Sequence, residues 1–206
     1  MVQTQLPSAH LTITPKVLYF GTPVVVISSL NPDGTTNLAP VSSYWALGDL
    51  LVIGLGATGQ TVGNIRRNGE LVVNLCDETQ WRAVESLALL TGASPVPADK
   101  PAGCRFEPDK FAVAGWSRLA STTITPERIL EAGAHIEARA TALHEEDGGY
   151  VVVHARATAV HAAPEMVVAG TSHINPSIWR PLIYSFRHYF GLGPRRGIAA
   201  RADLQH

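Results

Sequence analysis

The chain has 206 residues, enough to bury a full core in one domain without disulfide staples, and its 16 Lys+Arg nearly cancel its 17 Asp+Glu. With no basic block it offers no footprint for nucleic acid, and with no apolar run approaching ~20 residues it offers no membrane span. Cys76 and Cys104 lie outside any CxxC pairing and the N-terminus lacks the charged head and apolar run of a signal peptide, so a cytoplasmic protein with a small-molecule ligand is expected.

Val24–Leu30 is a short β-branched run that reads as a strand. Asn31-Pro32-Asp33-Gly34 follows as a turn, since Pro fixes φ, Asp bonds its own backbone and Gly accepts positive φ. Thr35–Trp45 resumes in extended form, and Leu47-Gly48-Asp49 leads into a second apolar run, Leu50–Leu55, completing an antiparallel meander. Thr61–Asn68 reads as a short helix closed by Gly69, and Glu70–Leu75 returns to strand character. A second helix is predicted over Trp81–Leu90, with Val84, Leu87 and Leu90 on one side. Ser94–Pro108 carries prolines at 95, 97, 101 and 108 and reads as a surface excursion. His135–His144 and Tyr150–His161 flank Glu145–Gly149 as a hairpin of long strands, whereas Thr171–Gly193 packs aromatics, Arg187 and His188 without a clean period. Six or seven strands with two or three helices, and no βαβ alternation, predict a mainly β fold: a closed β-barrel with appended helices, in a single domain over residues 1–206.

Two stretches raise the expectation of a role other than core packing. After the first turn, Asn37, Ser42 and Ser43 surround Ala39-Pro40, where a sheet favours Val and Ile. Val52–Gly59 (VIGLGATG) contains GxGxxG at Gly54, Gly56 and Gly59, with Asp77 following the next strand, as in a Rossmann NAD-binding unit. Against that reading, strands precede the glycines, the helix is short and hairpins follow. On either account a Gly-rich exit into a helix opening with Gln60 and Thr61 presents free N–H groups and a positive dipole end to a phosphate. Thr61 and Asn64, three apart on one face, add hydroxyl and amide donors; alternatively Thr61 or an earlier residue caps the helix and Asn64 is solvated.

The residues together resemble the flavin reductase-like, FMN-binding split-barrel family. The likeness is carried by PVVVISS (Pro23–Ser29), Asp33-Gly34 with NLAPVS (Asn37–Ser42), Thr61-x-x-Asn64-Ile65 followed by ELVVN (Glu70–Asn74), FAVAG (Phe111–Gly115), and His135-Ile136-Glu137 with the hairpin to His161, over roughly residues 15 to 190. It implies a Greek-key split barrel of six strands, a homodimer, and FMN near the interface. Asn37, Ala39, Ser42 and Ser43 would face the flavin, Gln60, Thr61 and Asn64 would take its phosphate, and Pro40 would mark a strand without a neighbour. Two departures stand out. Relatives carry a basic residue just before the Thr, where this chain has Gly59 and Gln60, which leaves Arg66, Arg67 or a tail arginine to replace it. The Arg-x-Gly-Gly-x-Tyr-like closing segment of relatives reads Ser185-Phe186-Arg187-His188-Tyr189-Phe190-Gly191 here.

The resemblance implies an NAD(P)H-dependent flavin reductase, with His173 and Arg187 as candidate catalytic residues toward the nicotinamide. His173 and His188 also read as structural histidines bonding nearby carbonyls, and Tyr44, Trp45 and Trp179 as core aromatics rather than flavin-stacking ones. No metal site is expected, since His154 and His161 lack a close ligand partner, and no GxSxG elbow supports a serine hydrolase. The alternative from another class is a non-catalytic flavin-binding or electron-carrying module. Delivery of reduced flavin to a partner oxygenase is open on sequence alone.

Overall fold

The structure, a computed structural model, describes residues 10–199. Its centre is a seven-stranded sheet built from β2 (Val25–Leu30), β3 (Thr36–Val41), β4 (Tyr44–Leu47), β5 (Leu50–Gly56), β6 (Glu70–Leu75), β11 (Ala134–Glu146) and β12 (Tyr150–Ala162). The strand order is β3-β2-β6-β11-β12-β5-β4, with every pairing antiparallel. β3 and β4 are the two edges, yet only Ser42 and Ser43 separate them in the chain, so the sheet must curl until its edges meet. No ladder joins β3 to β4 among the described residues, and the barrel stays split along that seam.

Strand alternation divides the interior into two cores. Val25 and Ile27 of β2 point into the barrel with Leu51, Ile53, Leu71, Val73, Val151 and Val153, and Val62 and Ile65 plug the end of this core. Val24 and Val26 point the other way, into a second cluster with Leu38, Val84, Leu87, Phe111, Ile129 and Leu182. Because β2 is buried on both faces, PVVVISS reads as a nearly continuous apolar run rather than an alternating one.

The helix α1 (Gln60–Asn68) carries Val62 and Ile65 and ends at Gly69, whose φ of 72 closes it in left-handed geometry. The second helix is shorter than expected: α2 covers Trp81–Ser86, and successive turns carry the chain to Leu90, where β7 (Leu90–Thr91) pairs in parallel with β8 (Arg105–Phe106). Its predicted apolar side is nonetheless buried at Val84, Leu87 and Leu90. A third helix, α3 (Lys110–Ala114), is N-capped by Asp109, and β9 (Arg118–Leu119) pairs with β10 (Arg128–Ile129). In the second cluster's flank, β1 (Phe20–Pro23) joins β13 (Ile183–Ser185) and β14 (His188–Phe190) in a small sheet that gives the tail its order.

The Rossmann reading fails on topology. β5 pairs with β4 and β12, and β6 with β2 and β11, so the strands flanking the glycine run are neither adjacent nor parallel. Among the described residues no helix is long and apolar enough to cross a membrane.

Candidate functional site

The N-terminus of α1 is open. Gly59 occupies the cap position with φ −70 and ψ 145, contributes no side-chain cap, and no acidic residue follows in the first turn. The positive end of the helix therefore faces a cavity of about 260 Å³, lined by Ala39–Ser43, Gly54–Gly56, Gly59, Thr61 and Lys100. Gly54 serves closeness rather than turning, since a Cβ there would lie 3.0 Å from Ser43 Cβ, a tight contact. Pro40 pairs with Val26 on one side only, at the sheet edge, so its missing N–H breaks no ladder on the cavity side.

Lys100 brings a cation to the cavity beside Gly59, where the resemblance leaves a basic residue missing. It comes from the proline-rich excursion, and its Nζ lies 3.8 Å from the position a Cβ on Gly59 would take. The excursion is latched to the start of α1 because Thr58 Oγ1 donates to both carboxylate oxygens of Asp99, at 2.9 and 2.7 Å. Arg66 and Arg67, the expected substitutes, are committed elsewhere: Arg66 to Glu145, and Arg67 to the Leu30 carbonyl and to Asn64 Oδ1.

Asn64 differs most from expectation. It has no exposed surface, its amide donates to Ser29 Oγ at 3.0 Å and Asn31 Oδ1 at 2.9 Å, and its oxygen accepts from Gln60 and Arg67. All four of its hydrogen-bonding positions are filled within the protein, so it ties α1 to β2 instead of meeting a ligand. The Gln60 side chain is drawn into the same cluster, and Gln60 does not line the cavity. Asn37 is buried behind Thr61, donating to Thr61 Oγ1 at 3.1 Å, whereas Ala39, Ser42, Ser43 and Thr61 all line the cavity.

A second cavity of about 430 Å³ shares Tyr19, Pro40, Val41 and Ser42 with the first and continues to Tyr184, Arg187 and Tyr189. The two form one cleft along the outer edge of β3, within the size range of small-molecule sites. Tyr19 bridges them, its hydroxyl 2.9 Å from Ser43 Oγ. At the far end Tyr189 donates to Glu85 Oε2 at 2.9 Å, and burial together with that carboxylate raises its pKa, so it stays a neutral donor.

Arg187 reaches this cleft from a strained turn. β13 and β14 are joined by two residues, Phe186 and Arg187, at φ 45 and 69, the type I′ geometry that normally selects Asn-Gly. Left-handed geometry costs an L-residue about 1–2 kcal/mol. Phe186 stacks edge-on against Phe20 at 4.5 Å, while the Arg187 guanidinium forms no hydrogen bond or ion pair among the described residues. His173, by contrast, is exposed in a tight surface turn where Val168 N–H donates to its carbonyl, and it lines neither cavity. The pairing of His173 with Arg187 is therefore not made. His188 Nδ1 donates to the Phe186 carbonyl at 2.9 Å, the structural role weighed for it.

Comparison with known proteins places the chain in a family. Residues 17–193 match the flavin reductase like domain. The chain belongs to this family. It is 39% identical over 194 residues to the uncharacterized protein YdfE of Bacillus subtilis (strain 168), covering 93% of both chains. Among solved structures, flavoredoxin from Methanosarcina acetivorans superposes with a TM-score of 0.76 at 16% identity, over 96% of this chain and 100% of that one. Nitrilotriacetate monooxygenase component B from Bacillus cereus gives 0.73 at 18% identity, over 93% and 100%. A protein from Shewanella frigidimarina NCIMB 400, provisionally described as a flavin reductase with split barrel domain, gives 0.70 at 14% identity, over 87% and 86%. At these identities the superpositions establish the flavin reductase-like split barrel fold. Membership in the family implies flavin binding.

Proposed function

We propose that this chain binds FMN in the β3 cleft and reduces it with NADH or NADPH. The observation that carries the reading is the continuity of the cleft, from an uncapped helix start with Thr61 and Lys100 to an uncommitted Arg187. The residues present fit the cofactor: an anion seat at one end, and the small side chains of Ala39, Ser42 and Ser43 along an open strand edge that admits a flat ring. Bound flavin would supply hydride acceptance at N5, with negative charge developing at the pyrimidine end. The chain's own part is to bind and orient. The Thr61 backbone N–H and hydroxyl and the Lys100 ammonium hold the phosphate, and Arg187 meets the nicotinamide pyrophosphate through its forked donors. No side-chain nucleophile is needed for hydride transfer.

A homodimer accompanies this reading. Leu11, Ile13, Leu18 and Phe20 are 87, 69, 73 and 71% exposed along one arm that leads into Tyr19 and the cleft, an apolar stripe of the kind that marks an interface. Reduced flavin leaving such a site would serve a partner oxygenase.

The test is anaerobic titration of the purified, FMN-loaded protein with NADH and NADPH, followed at the flavin absorbance. Bleaching supports the reductase. Flavin that binds but is bleached by neither nucleotide replaces it with the binding-module alternative, and sedimentation as a monomer with full FMN affinity removes the dimer.

A further inference from the structure

Lys110 is 3% exposed, buried at the start of α3, and no carboxylate forms an ion pair with it among the described residues. Its Nζ donates to Asn37 Oδ1 at 3.0 Å and to the Leu38 carbonyl at 2.8 Å. A buried cation without a carboxylate is costly, and it stands directly behind the residue that supports Thr61.

We propose that Lys110 is a positioning residue for phosphate recognition: it fixes the Asn37 amide so that the Thr61 hydroxyl hydrogen must point into the cleft. The inference rests on the α1 N-terminus being the seat of the FMN phosphate. An ammonium can only donate, so it must face the amide oxygen of Asn37, and the other half of the amide must then be its NH₂. That NH₂ donates to Thr61 Oγ1 at 3.1 Å, filling an acceptor position of the hydroxyl. Thr61 Oγ1 makes no other hydrogen bond among the described residues, so its single hydrogen remains for an acceptor in the cavity that Thr61 lines. The flipped amide would set donor against donor at Lys110. Close packing also holds the amide in place, because Gly92 lies so near that a Cβ there would collide with Asn37 Oδ1. A hydroxyl left to itself rotates; here a cation two bonds of the network away makes it a dedicated donor.

The experiment is a double-mutant cycle on the full chain, with dissociation constants of FMN and riboflavin measured by flavin fluorescence quenching. Wild type binds FMN more tightly than riboflavin. Lys110→Met lowers that FMN:riboflavin preference by roughly 10-fold or more, as for loss of a hydrogen bond to a charged acceptor. In a Thr61→Val background, Lys110→Met causes little further change in the preference. An equal loss in both backgrounds would show that the lysine acts as a distant charge and not through Thr61, and an unchanged preference, or equal weakening of both ligands, would likewise overturn the proposal. A wild type with no preference at all would remove the phosphate seat itself, and the relay with it. Should Lys110→Met not fold, Asn37→Asp keeps an acceptor for the lysine while removing the amide donor, and is read in the same cycle.

Discussion

Replacing Arg187 with glycine separates stability from function. The residue sits at φ 69 and forms no hydrogen bond or ion pair among the described residues, so glycine relieves backbone strain and loses little direct bonding. The relief is about 1–2 kcal/mol, opposed by about 0.5–1 kcal/mol from the greater freedom of glycine in the unfolded chain. A net gain of about 0–1.5 kcal/mol corresponds to a rise in Tm of up to roughly 6 °C for a domain of this size. The same change removes the one uncommitted guanidinium of the cleft, so the KM for the nicotinamide nucleotide is expected to rise by roughly 5- to 150-fold, or 1–3 kcal/mol, with FMN affinity nearly unchanged. Arg187→Lys retains both the strain and the charge, leaving Tm as it is and restoring part of the KM loss, since ammonium lacks the fork. Thermal melts of the flavin-free protein and steady-state kinetics with NADH and NADPH provide the readings. A fall in Tm for the glycine variant would refute the strained-turn argument, and an unchanged KM would refute the nicotinamide role.

Lys100→Met should weaken FMN by about 1–3 kcal/mol while leaving riboflavin nearly unaffected, and the difference should shrink with added salt; equal losses in a calorimetric titration would place the lysine away from the phosphate. Burial, with help from nearby Lys100, lowers the Lys110 pKa to about 8, so near pH 8 an arriving phosphate dianion should raise it again and FMN binding should take up protons, whereas riboflavin binding should take up fewer. Calorimetry in buffers of different ionisation enthalpy checks this, and equal uptake by both ligands would contradict it. Glu137 is fully buried, and although burial alone raises a carboxyl pKa, hydrogen bonds from Thr123, Thr122 and His161 outweigh it and hold the group at about 2. Its folded value lies below the unfolded one, so its contribution is present above about pH 4.5 and is lost as pH falls through 2. Urea midpoints measured down this range should fall more steeply for wild type than for Glu137→Gln, which at neutral pH should itself cost about 1–3 kcal/mol.

Much of the barrel was written in the sequence because local chemistry and tertiary demand coincide there. Asp33 accepts from Thr35 and Gly34 takes φ 85, as the turn residues require, and Gly69 ends α1 where expected. Val84, Leu87 and Leu90 are buried even though the helix stops at Ser86 and carries only the first of them. β1 and the β13–β14 hairpin escaped notice because they are short and hold to one another, with no period of their own and with Phe-Arg where a turn of that type favours Asn-Gly. The site divides along the same line. Composition singled out β3 and the start of α1, both of which line the cavity, since small polar residues and a glycine-rich helix entry are local facts. Whether an amide faces a cleft or a core is not local: Asn37 and Asn64 looked like ligands, and burial against β2 and α3 made them supports. Lys100 and Lys110 could not be assigned from sequence, because they lie 39 and 49 positions beyond Thr61 and only the folding of the proline-rich excursion and α3 over β3 brings their charges to it. Periodicity and turn chemistry act over a few residues, so the sequence determined the strands, the helix and its glycine stops; long-range packing decided which side chains meet and which way each hydrogen bond runs.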